Sequence, residues 1–227
     1  MKSITLVFLL IAYTSAQLQT PQQDLTPAQI ADLTPEELQN LNTNTLTKAQ
    51  FQALTTNQIA ILVNNGQMNN LNKIQIEFFT KSQIETLSSS TFNQLPNMVV
   101  YYFSPNQISY LSINVIQGLG EDQIVHLQPS QIEALTQDQI SNLNYNISFT
   151  SAQFKFFSPA QIKAFTPLQL GLMDCFEDLT VQQIHAFSNS QLEMIFGAFS
   201  QSQICLISVN RLKNFTAYEI SRIEPKV

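Results

Sequence analysis

The stretch that decides the fold is Thr136-Gln137-Asp138-Gln139-Ile140-Ser141-Asn142-Leu143, an octad that recurs with small changes along most of the chain. Thr26–Leu33 and Ser158–Phe165 repeat it closely. The consensus has Ser or Thr at position 1, Gln at position 4, Ile at position 5 and Leu or Phe at position 8, and position 2 is often Pro. A fixed period of this kind is typical of repeat architectures, in which each unit is one small structural element.

Twenty-two octads fit the pattern, and positions 5 and 8 are apolar in all 22. Position 4 is Gln or Glu in 18 of them. The octads begin at Thr26, Thr34, Thr47, Thr55, Asn64, Asn72, Thr80, Ser88, Pro96, Ser104, Ser112, Gly120, Gln128, Thr136, Thr150, Ser158, Thr166, Thr180, Ser188, Ser200, Ser208 and Thr216. Additional residues interrupt the period at Asn42–Leu46, Val63, Asn144–Phe149, Asp174–Leu179 and Phe196–Phe199. Several of these are apolar, so we expect the interruptions to redirect the stack of helices.

The residue types of the octad predict one short helix per repeat. Ser or Thr at position 1 is a favourable N-cap, and Gln or Glu three residues later completes a capping box. Pro at position 2 would be the first helical residue, where a helix tolerates it well. Positions 5 and 8 lie on the same helical face because they are three residues apart.

Two other structures fit the octad poorly. In one continuous helix, eight residues turn the apolar face by about 80° beyond two full turns, so no stripe would form. Each internal Pro would also cost such a helix about 3 kcal/mol. In a strand, positions 5 and 8 would point to opposite faces. Because helices of under two turns are unstable alone, their apolar positions must share a core with neighbouring repeats. The sequence therefore predicts an all-α fold, an armadillo-like α-solenoid or superhelix of about 20 short capped helices.

The predicted organisation has four parts. Residues 1–16 resemble a secretory signal peptide, with a basic residue at Lys2, an apolar run over Ile4–Ala12 and a small residue, Ala16, before the predicted cleavage site. The alternative is a buried N-terminal helix. A short segment follows at 17–24, the octad array covers 25–223, and a polar tail covers 224–227. The apolar run is too short to span a membrane comfortably, so we expect a secreted, extracellular protein without a membrane span after cleavage.

Two further features fit a secreted protein. Cys175 and Cys205 are the two cysteines, and an oxidising compartment permits a disulfide that closes a loop of about 30 residues. Two free, buried thiols are the alternative. The sequons Asn146-Ile147-Ser148 and Asn214-Phe215-Thr216 predict N-glycosylation at their asparagines.

The composition offers little material for catalysis. Charged residues make up 11% of the chain, and the net charge of −6 includes no basic patch, which argues against nucleic acid as a partner. The two histidines, His126 and His185, fall at outward positions of their octads. No motif for a catalytic nucleophile, a phosphate loop or a metal site is present. We therefore expect a protein that is not an enzyme and that has no cofactor, catalytic residues or metal site.

Aromatic residues at positions 6 and 7 are candidates for a partner-binding ridge. The five are Phe78, Tyr101, Tyr102, Tyr110 and Phe156. One interpretation is a wider core face, because a surface helix often buries about 100° of its circumference. The other is an aromatic ridge that a partner covers.

The octads Thr26–Leu33, Thr136–Leu143 and Ser158–Phe165 resemble repeat arrays of some large secreted bacterial surface proteins. They are also similar to the short-helix repeats of the mesothelin and stereocilin group. That resemblance implies an armadillo-like superhelix at the cell surface or in extracellular matrix, with a role in adhesion. Members of the group are commonly lipid-anchored, and the polar residues 224–227 differ from such an anchor.

Two functions follow as hypotheses. The first is an extracellular binding or adhesion protein that presents an extended helical surface to a protein or glycan. The second is a structural protein that self-associates into a matrix or coat, because a neutral Gln- and Asn-rich surface provides little repulsion between copies.

Overall fold

The computed structural model describes residues 22–96 and 99–216. This part of the chain is all-helical, with 58% helix, 20 short α-helices and no strand. The α-helices are Pro27–Ala31, Pro35–Leu38, Lys48–Ala53, Thr56–Asn64, Lys73–Ile76, Lys81–Glu85, Ser89–Phe92, Val99–Tyr102, Pro105–Ser109, Ile113–Gly118, Glu121–Ile124, Pro129–Ala134, Gln137–Ser141, Ser151–Phe154, Pro159–Ala164, Pro167–Gly171, Val181–Ala186, Asn189–Ile195, Gln201–Ile204 and Val209–Leu212. Three short 3-10 helices are Gln22–Asp24, Thr43–Thr45 and Phe196–Ala198.

The chain divides into two compact units, Met1–Pro96 and Asn97–Val227. The octad array of 25–223 is thus shared between the two. The predicted signal peptide 1–16, most of the segment 17–24 and the tail 224–227 lie outside the described residues, as does nearly all of the last octad.

Reciprocal caps start the helices where the octads predict them. At Thr136, the side chain accepts a hydrogen bond from the Gln139 backbone N–H at 3.1 Å, and Gln139 Oε1 accepts one from the Thr136 backbone N–H at 2.9 Å. The same capping box is formed at fourteen of the helices by Ser, Thr or Asn. A cap of this kind stabilises a helix by about 1 kcal/mol.

The apolar positions form the core as predicted. Within the described ranges, position 5 is buried in every octad except at Ile204 and Leu212, and position 8 is buried everywhere except at Leu33. All three exceptions lie near the ends of those ranges. The core is therefore built from two residues of each octad, one in the helix and one usually just after it, and neighbouring octads share it.

The octad predicted at Asn64 does not start a helix. The preceding helix continues to Asn64, and Gly66 then ends it with φ +72°, a conformation that favours glycine. The Gly66 N–H donates to Val63 O at 2.8 Å and the Gln67 N–H donates to Leu62 O at 2.9 Å, which is a Schellman C-cap. Met68 and Leu71 still enter the core from the turn that follows.

The interruptions of the period supply core residues and keep the helix spacing nearly constant. Ile147, Phe149, Phe176 and other apolar residues of these segments are buried. Where no interruption occurs, the helix Pro105–Ser109 packs on Pro129–Ala134, three octads later.

Across the interruption at Asn144–Phe149, the packing partner lies two octads later. Gln137–Ser141 packs on Pro159–Ala164, and Pro159–Ala164 packs on Val181–Ala186 across the next interruption. Each of these interrupting segments therefore takes the place of one octad.

The Gln at position 4 makes a second bond that joins distant octads. Gln161 Nε2 donates to Ile132 O and Leu135 O at 2.8 Å each and to Glu133 O at 3.2 Å. These carbonyls lie at the C-terminus of an earlier helix, where helical carbonyls have no partner within the helix. The amide therefore caps the start of one helix with its oxygen and the end of another with its nitrogen.

This bond recurs in both units and spans 25 to 32 residues. The donors are Gln50, Gln58, Gln67, Gln75, Gln83, Gln131, Gln139, Gln153, Gln161, Gln169, Gln183, Gln191 and Gln203. Nearly all are buried. Among the side chains that the structure describes, no buried nitrogen or oxygen lacks a hydrogen-bond partner.

In the octad at Ser208, position 4 is Arg211, and its side chain donates to an earlier helix as the glutamines of other octads do. Its guanidinium donates to Phe187 O, and to His185 O at 3.4 Å. Burial lowers the pKa of Arg211 from its ordinary value. A guanidinium has no acceptor atom, so it cannot close a capping box, and Ser208 has no side-chain cap hydrogen bond.

Candidate functional site

The first residue of the predicted aromatic ridge, Phe78, lies in the unit Met1–Pro96. Its ring is half-buried and stands edge-on to the ring of Phe51, with 6.0 Å between centroids. Because Phe51 is fully buried, Phe78 extends the core outward at this point. The geometry favours the wider core face as the interpretation of this residue.

The other four ridge residues lie in the unit Asn97–Val227 and differ in exposure. Tyr101 is 41% exposed, and its ring lies edge-on to that of Tyr102 at 5.5 Å. Tyr102, Tyr110 and Phe156 are half-buried. Lys155 Nζ lies 5.2 Å above the Phe156 ring, a cation–π contact. Tyr101 is thus the most open of the ridge residues, and contact of a partner with the ridge stays a prediction.

Exposed apolar side chains are concentrated in the last part of the described chain. Six of the ten large, exposed apolar residues fall between residues 168 and 209. The six are Leu168, Leu172, Val181, Met194, Leu206 and Val209. The predicted ridge contains only Phe and Tyr residues, at positions 6 and 7 of their octads. Apolar residues at positions 2 and 3, such as Val181 and Leu168, are a further signal in the sequence that the predicted ridge does not include.

A groove opens between two packed helices of this region, Pro167–Gly171 and Asn189–Ile195. Its volume is about 300 Å³. Every lining residue is apolar or glycine: Leu170, Gly171, Met173, Phe176, Met194, Ile195, Gly197 and Ala198. We call it the Met194 groove, because Met194 both lines it and is 49% exposed.

The backbone at Gly171 lets the Met194 side chain lie across the groove wall. A Cβ at Gly171 would come within 2.7 Å of Met194 Cε, which is closer than two carbon atoms tolerate. Gly171 thus provides the space that this side chain occupies. Methionine is unbranched and flexible, so Met194 is suited to adjust to a bound apolar group.

Acidic residues lie next to the groove-lining residues in the sequence. Asp174, Glu177 and Glu193 are exposed, and each is the chain neighbour of a residue that lines the groove. No Lys or Arg occurs in the sequence between Lys163 and Arg211. The stretch from residue 164 to residue 210 therefore carries more negative than positive side chains.

The predicted disulfide is not formed. Cys175 and Cys205 are free thiols in different environments, the first buried and the second exposed. Cys175 is 1% exposed because it enters the core with the adjacent Phe176, whereas Cys205 directly follows the helix Gln201–Ile204 on its outer side. Burial, and secondarily the carboxylate of Asp174, raises the pKa of the Cys175 thiol from 9.0 to about 12.

The two thiols are expected to differ strongly in reactivity. Because the thiolate is the reactive form, Cys205 should react with iodoacetamide at pH 8 in the folded protein, and Cys175 should stay unmodified until the protein unfolds. Mass spectrometry of the alkylated peptides, with and without urea, measures both. Equal labelling of the two cysteines without urea would contradict the burial of Cys175.

Both sequon asparagines lie on exposed turns. Asn146 and Asn214 are exposed, while the middle residues of their sequons, Ile147 and Phe215, are buried. The Asn146 backbone N–H donates to Asn144 Oδ1 at 3.0 Å, which fixes the turn. The asparagine side chains are therefore accessible, and their glycosylation stays a prediction.

The histidines are both exposed, and one has a structural partner. His185 Nε2 lies 2.9 Å from Leu206 O. Across residues 22–96 and 99–216, no group of three or more His, Cys, Asp and Glu side chains is placed to hold a metal ion. In the same ranges no helix has the length and apolar character to cross a membrane.

No protein-family model, curated protein or solved structure matches the chain.

Proposed function

We propose that this chain is a secreted, non-enzymatic binding protein whose helices form an α-solenoid that presents an outer surface to an extracellular partner. The observation that carries the proposal is the number of exposed apolar side chains between residues 168 and 209, of which Met194 lines an open groove. Solenoids typically use long, continuous surfaces to bind other proteins.

The hydrogen bonds of the position-4 glutamines support the solenoid arrangement. They join thirteen octads to backbone carbonyls 25 to 32 residues earlier, a distance that varies little along each unit. A near-constant spacing is expected when successive turns stack on one another. The octads' resemblance to mesothelin- and stereocilin-like repeats supports a role in adhesion.

Secretion is supported by the signal-like sequence of residues 1–16 and by the exposed positions of Asn146 and Asn214. Expression of the full chain in cultured eukaryotic cells tests it. We expect the protein in the medium, an N-terminus at Gln17, and a loss of mass on digestion with an N-glycosidase. Retention of the intact chain inside the cells would overturn the proposal.

A second candidate function is self-association into a matrix or coat. The exposed apolar residues between 168 and 209 favour it, together with the low charge content of 11%. Light scattering of the secreted protein over a wide concentration range separates the two candidates. A monomer at every concentration removes the matrix hypothesis, whereas growth in mass with concentration supports it over the binding protein.

A further inference from the structure

We propose that Asn65-Gly66 is a latent site of deamidation, which the C-cap at Gly66 keeps in the amide form while the unit Met1–Pro96 is folded. In this reaction the Gly66 backbone nitrogen attacks Asn65 Cγ, the C–N bond of the side-chain amide breaks, and ammonia leaves. Water then opens the cyclic imide to aspartate or isoaspartate, and no oxidant or reductant is needed. The modification goes beyond the proposed function and does not depend on it.

The residue types of the pair are suited to this reaction. It is the single Asn-Gly pair of the chain, and Asn65 is exposed, so water reaches its side chain. Glycine has no Cβ, so no side chain shields its nitrogen from the preceding asparagine. In an unfolded chain the backbone dihedral angles vary, and the nitrogen can approach Cγ. Unfolded Asn65 should therefore deamidate readily.

The fold holds the reacting atoms apart. Asn65 has φ −82° and ψ 0°. This ψ places the Gly66 nitrogen on the same side as the Asn65 backbone nitrogen and away from Cβ, so the five-membered ring cannot close until the peptide rotates. The Asn65 side chain is also engaged, since its Nδ2 donates to Gln67 Oε1 at 3.4 Å.

The attacking nitrogen is engaged as well. The Gly66 N–H donates to Val63 O at 2.8 Å, beside the bond from the Gln67 N–H to Leu62 O at 2.9 Å. Attack requires loss of the Gly66 amide proton, and a hydrogen-bonded backbone amide releases its proton only when the bond opens locally. Deamidation therefore has to wait for the C-cap to open.

Two bonds of the Gln67 side chain hold this turn against earlier octads. Its Nε2 donates to Leu38 O at 2.8 Å and to Leu41 O at 2.7 Å. Conversion of Asn65 would place a carboxylate at the C-terminus of the helix Thr56–Asn64, where the helix dipole disfavours an anion. Isoaspartate would also insert an additional carbon into the backbone of the cap. The unit should therefore lose stability once the reaction has occurred.

The test is the rate of deamidation of the full chain at pH 8 with and without urea. Mass spectrometry with fragmentation of the peptide between Lys48 and Lys73 measures conversion at residue 65 itself. We expect conversion in urea to be at least about tenfold faster than in the folded protein, because local opening is rare. Asn65→Gln, which cannot close a five-membered ring, should abolish the reaction at this position in both conditions.

Two variants distinguish protection by the cap from protection by the whole fold. Gln67→Ala removes the bonds to Leu38 O and Leu41 O and should speed conversion of Asn65 in the folded protein at least about fivefold. Gln161→Ala is the matched control, because it removes the same kind of bond from the unit Asn97–Val227, and the rate at Asn65 should be unchanged. In urea both variants should react at the rate of the unmodified chain.

Three results would overturn the inference. These are equal rates at Asn65 with and without urea, no reaction at Asn65 in urea, and an acceleration by Gln161→Ala as large as that by Gln67→Ala. If circular dichroism shows that Gln67→Ala does not fold, hydrogen exchange of the Gly66 N–H in the unmodified protein replaces it. Slow exchange of this proton supports the inference, and exchange at the rate of an unfolded chain contradicts it.

Discussion

Replacing Gln161 by Glu is expected to destabilise the unit Asn97–Val227 by about 3–5 kcal/mol, although the two side chains have nearly the same shape. Gln161 is 5% exposed, and its amide nitrogen donates to three backbone carbonyl oxygens. A carboxylate would keep the bond to the Ser158 N–H but would turn its second oxygen toward those carbonyls. The variant would therefore bury a carboxylate whose second oxygen faces carbonyl oxygens, which cannot donate a hydrogen bond to it.

The loss of stability should depend on pH in a defined direction. Burial favours the neutral form of the introduced carboxyl and raises its pKa in the folded state above the unfolded value of about 4.3. The folded variant then binds more protons than the unfolded one, so the destabilisation is full above the raised pKa and is relieved as the pH falls below it. Urea unfolding followed by circular dichroism at several pH values measures this.

Gln29→Glu is the matched control for Gln161→Glu. Gln29 occupies the same octad position and forms the same capping box, with the Thr26 N–H donating to its Oε1 at 2.9 Å. Among the described residues its side chain bonds only Thr26, and the next octad carries Glu37 naturally at this position. We expect the control to change stability by no more than about 0.5 kcal/mol. Equal losses in the two variants would contradict the role of the amide nitrogen.

The second large effect is expected for Phe154→Ala, which should lower the free energy of unfolding by about 3–5 kcal/mol. Phe154 is fully buried at position 5, and its ring centroid lies 5.3 Å from that of Phe157, 5.6 Å from that of Phe165 and 5.4 Å from that of Phe176. Truncation would leave a cavity among rings that come from the same octad, from the next octad and from the interruption at Asp174–Leu179.

Phe156→Ala provides the comparison within the same octad. Phe156 is half-buried at position 7 and has the Lys155 ammonium 5.2 Å from its ring centroid. Its truncation should lower the free energy of unfolding by about 1 kcal/mol, because part of the ring's packing and the cation–π contact are lost. Thermal and urea unfolding of both variants measures the difference. A loss for Phe156→Ala as large as that for Phe154→Ala would show that position 7 belongs to the core throughout.

Local sequence signals predicted the helices well because they act within one octad. The cap at Thr136, its partner Gln139 and the apolar pair Ile140 and Leu143 all lie within eight residues, so their spacing alone specifies the helix. The prediction that a helix starts at Asn64 is wrong for a reason that is also local. Gly66 can adopt positive φ, and a C-cap competes there with the predicted N-cap.

The bonds between octads were not predicted, although a signal for them exists. A capping box accepts either Gln or Glu, yet position 4 is Gln at nearly every buried site and Glu at Glu37, which is half-buried. Only Gln has the NH₂ group that the carbonyls of an earlier helix require. The preference for Gln over Glu therefore indicates a second partner, but which helix provides it depends on the tertiary fold.

The site was predicted less well than the fold. Predicting the Cys175–Cys205 bridge required knowledge of which side of the chain each thiol faces, and spacing does not contain it. The Met194 groove depends on Gly171 and Met194, which are 23 residues apart and meet only when their helices pack. Surface function of this kind follows from the packing of octads, not from the octad itself.

Hydrogen exchange of glutamine side-chain amides in the ¹⁵N-labelled protein tests the central claim most directly. The account predicts that the NH₂ groups of Gln139, Gln161 and Gln183, which are buried and bonded to distant carbonyls, exchange many times more slowly than that of Gln29. Exchange of all four at the rate of a free glutamine side chain would contradict it, because the helices would then be joined by apolar contacts alone.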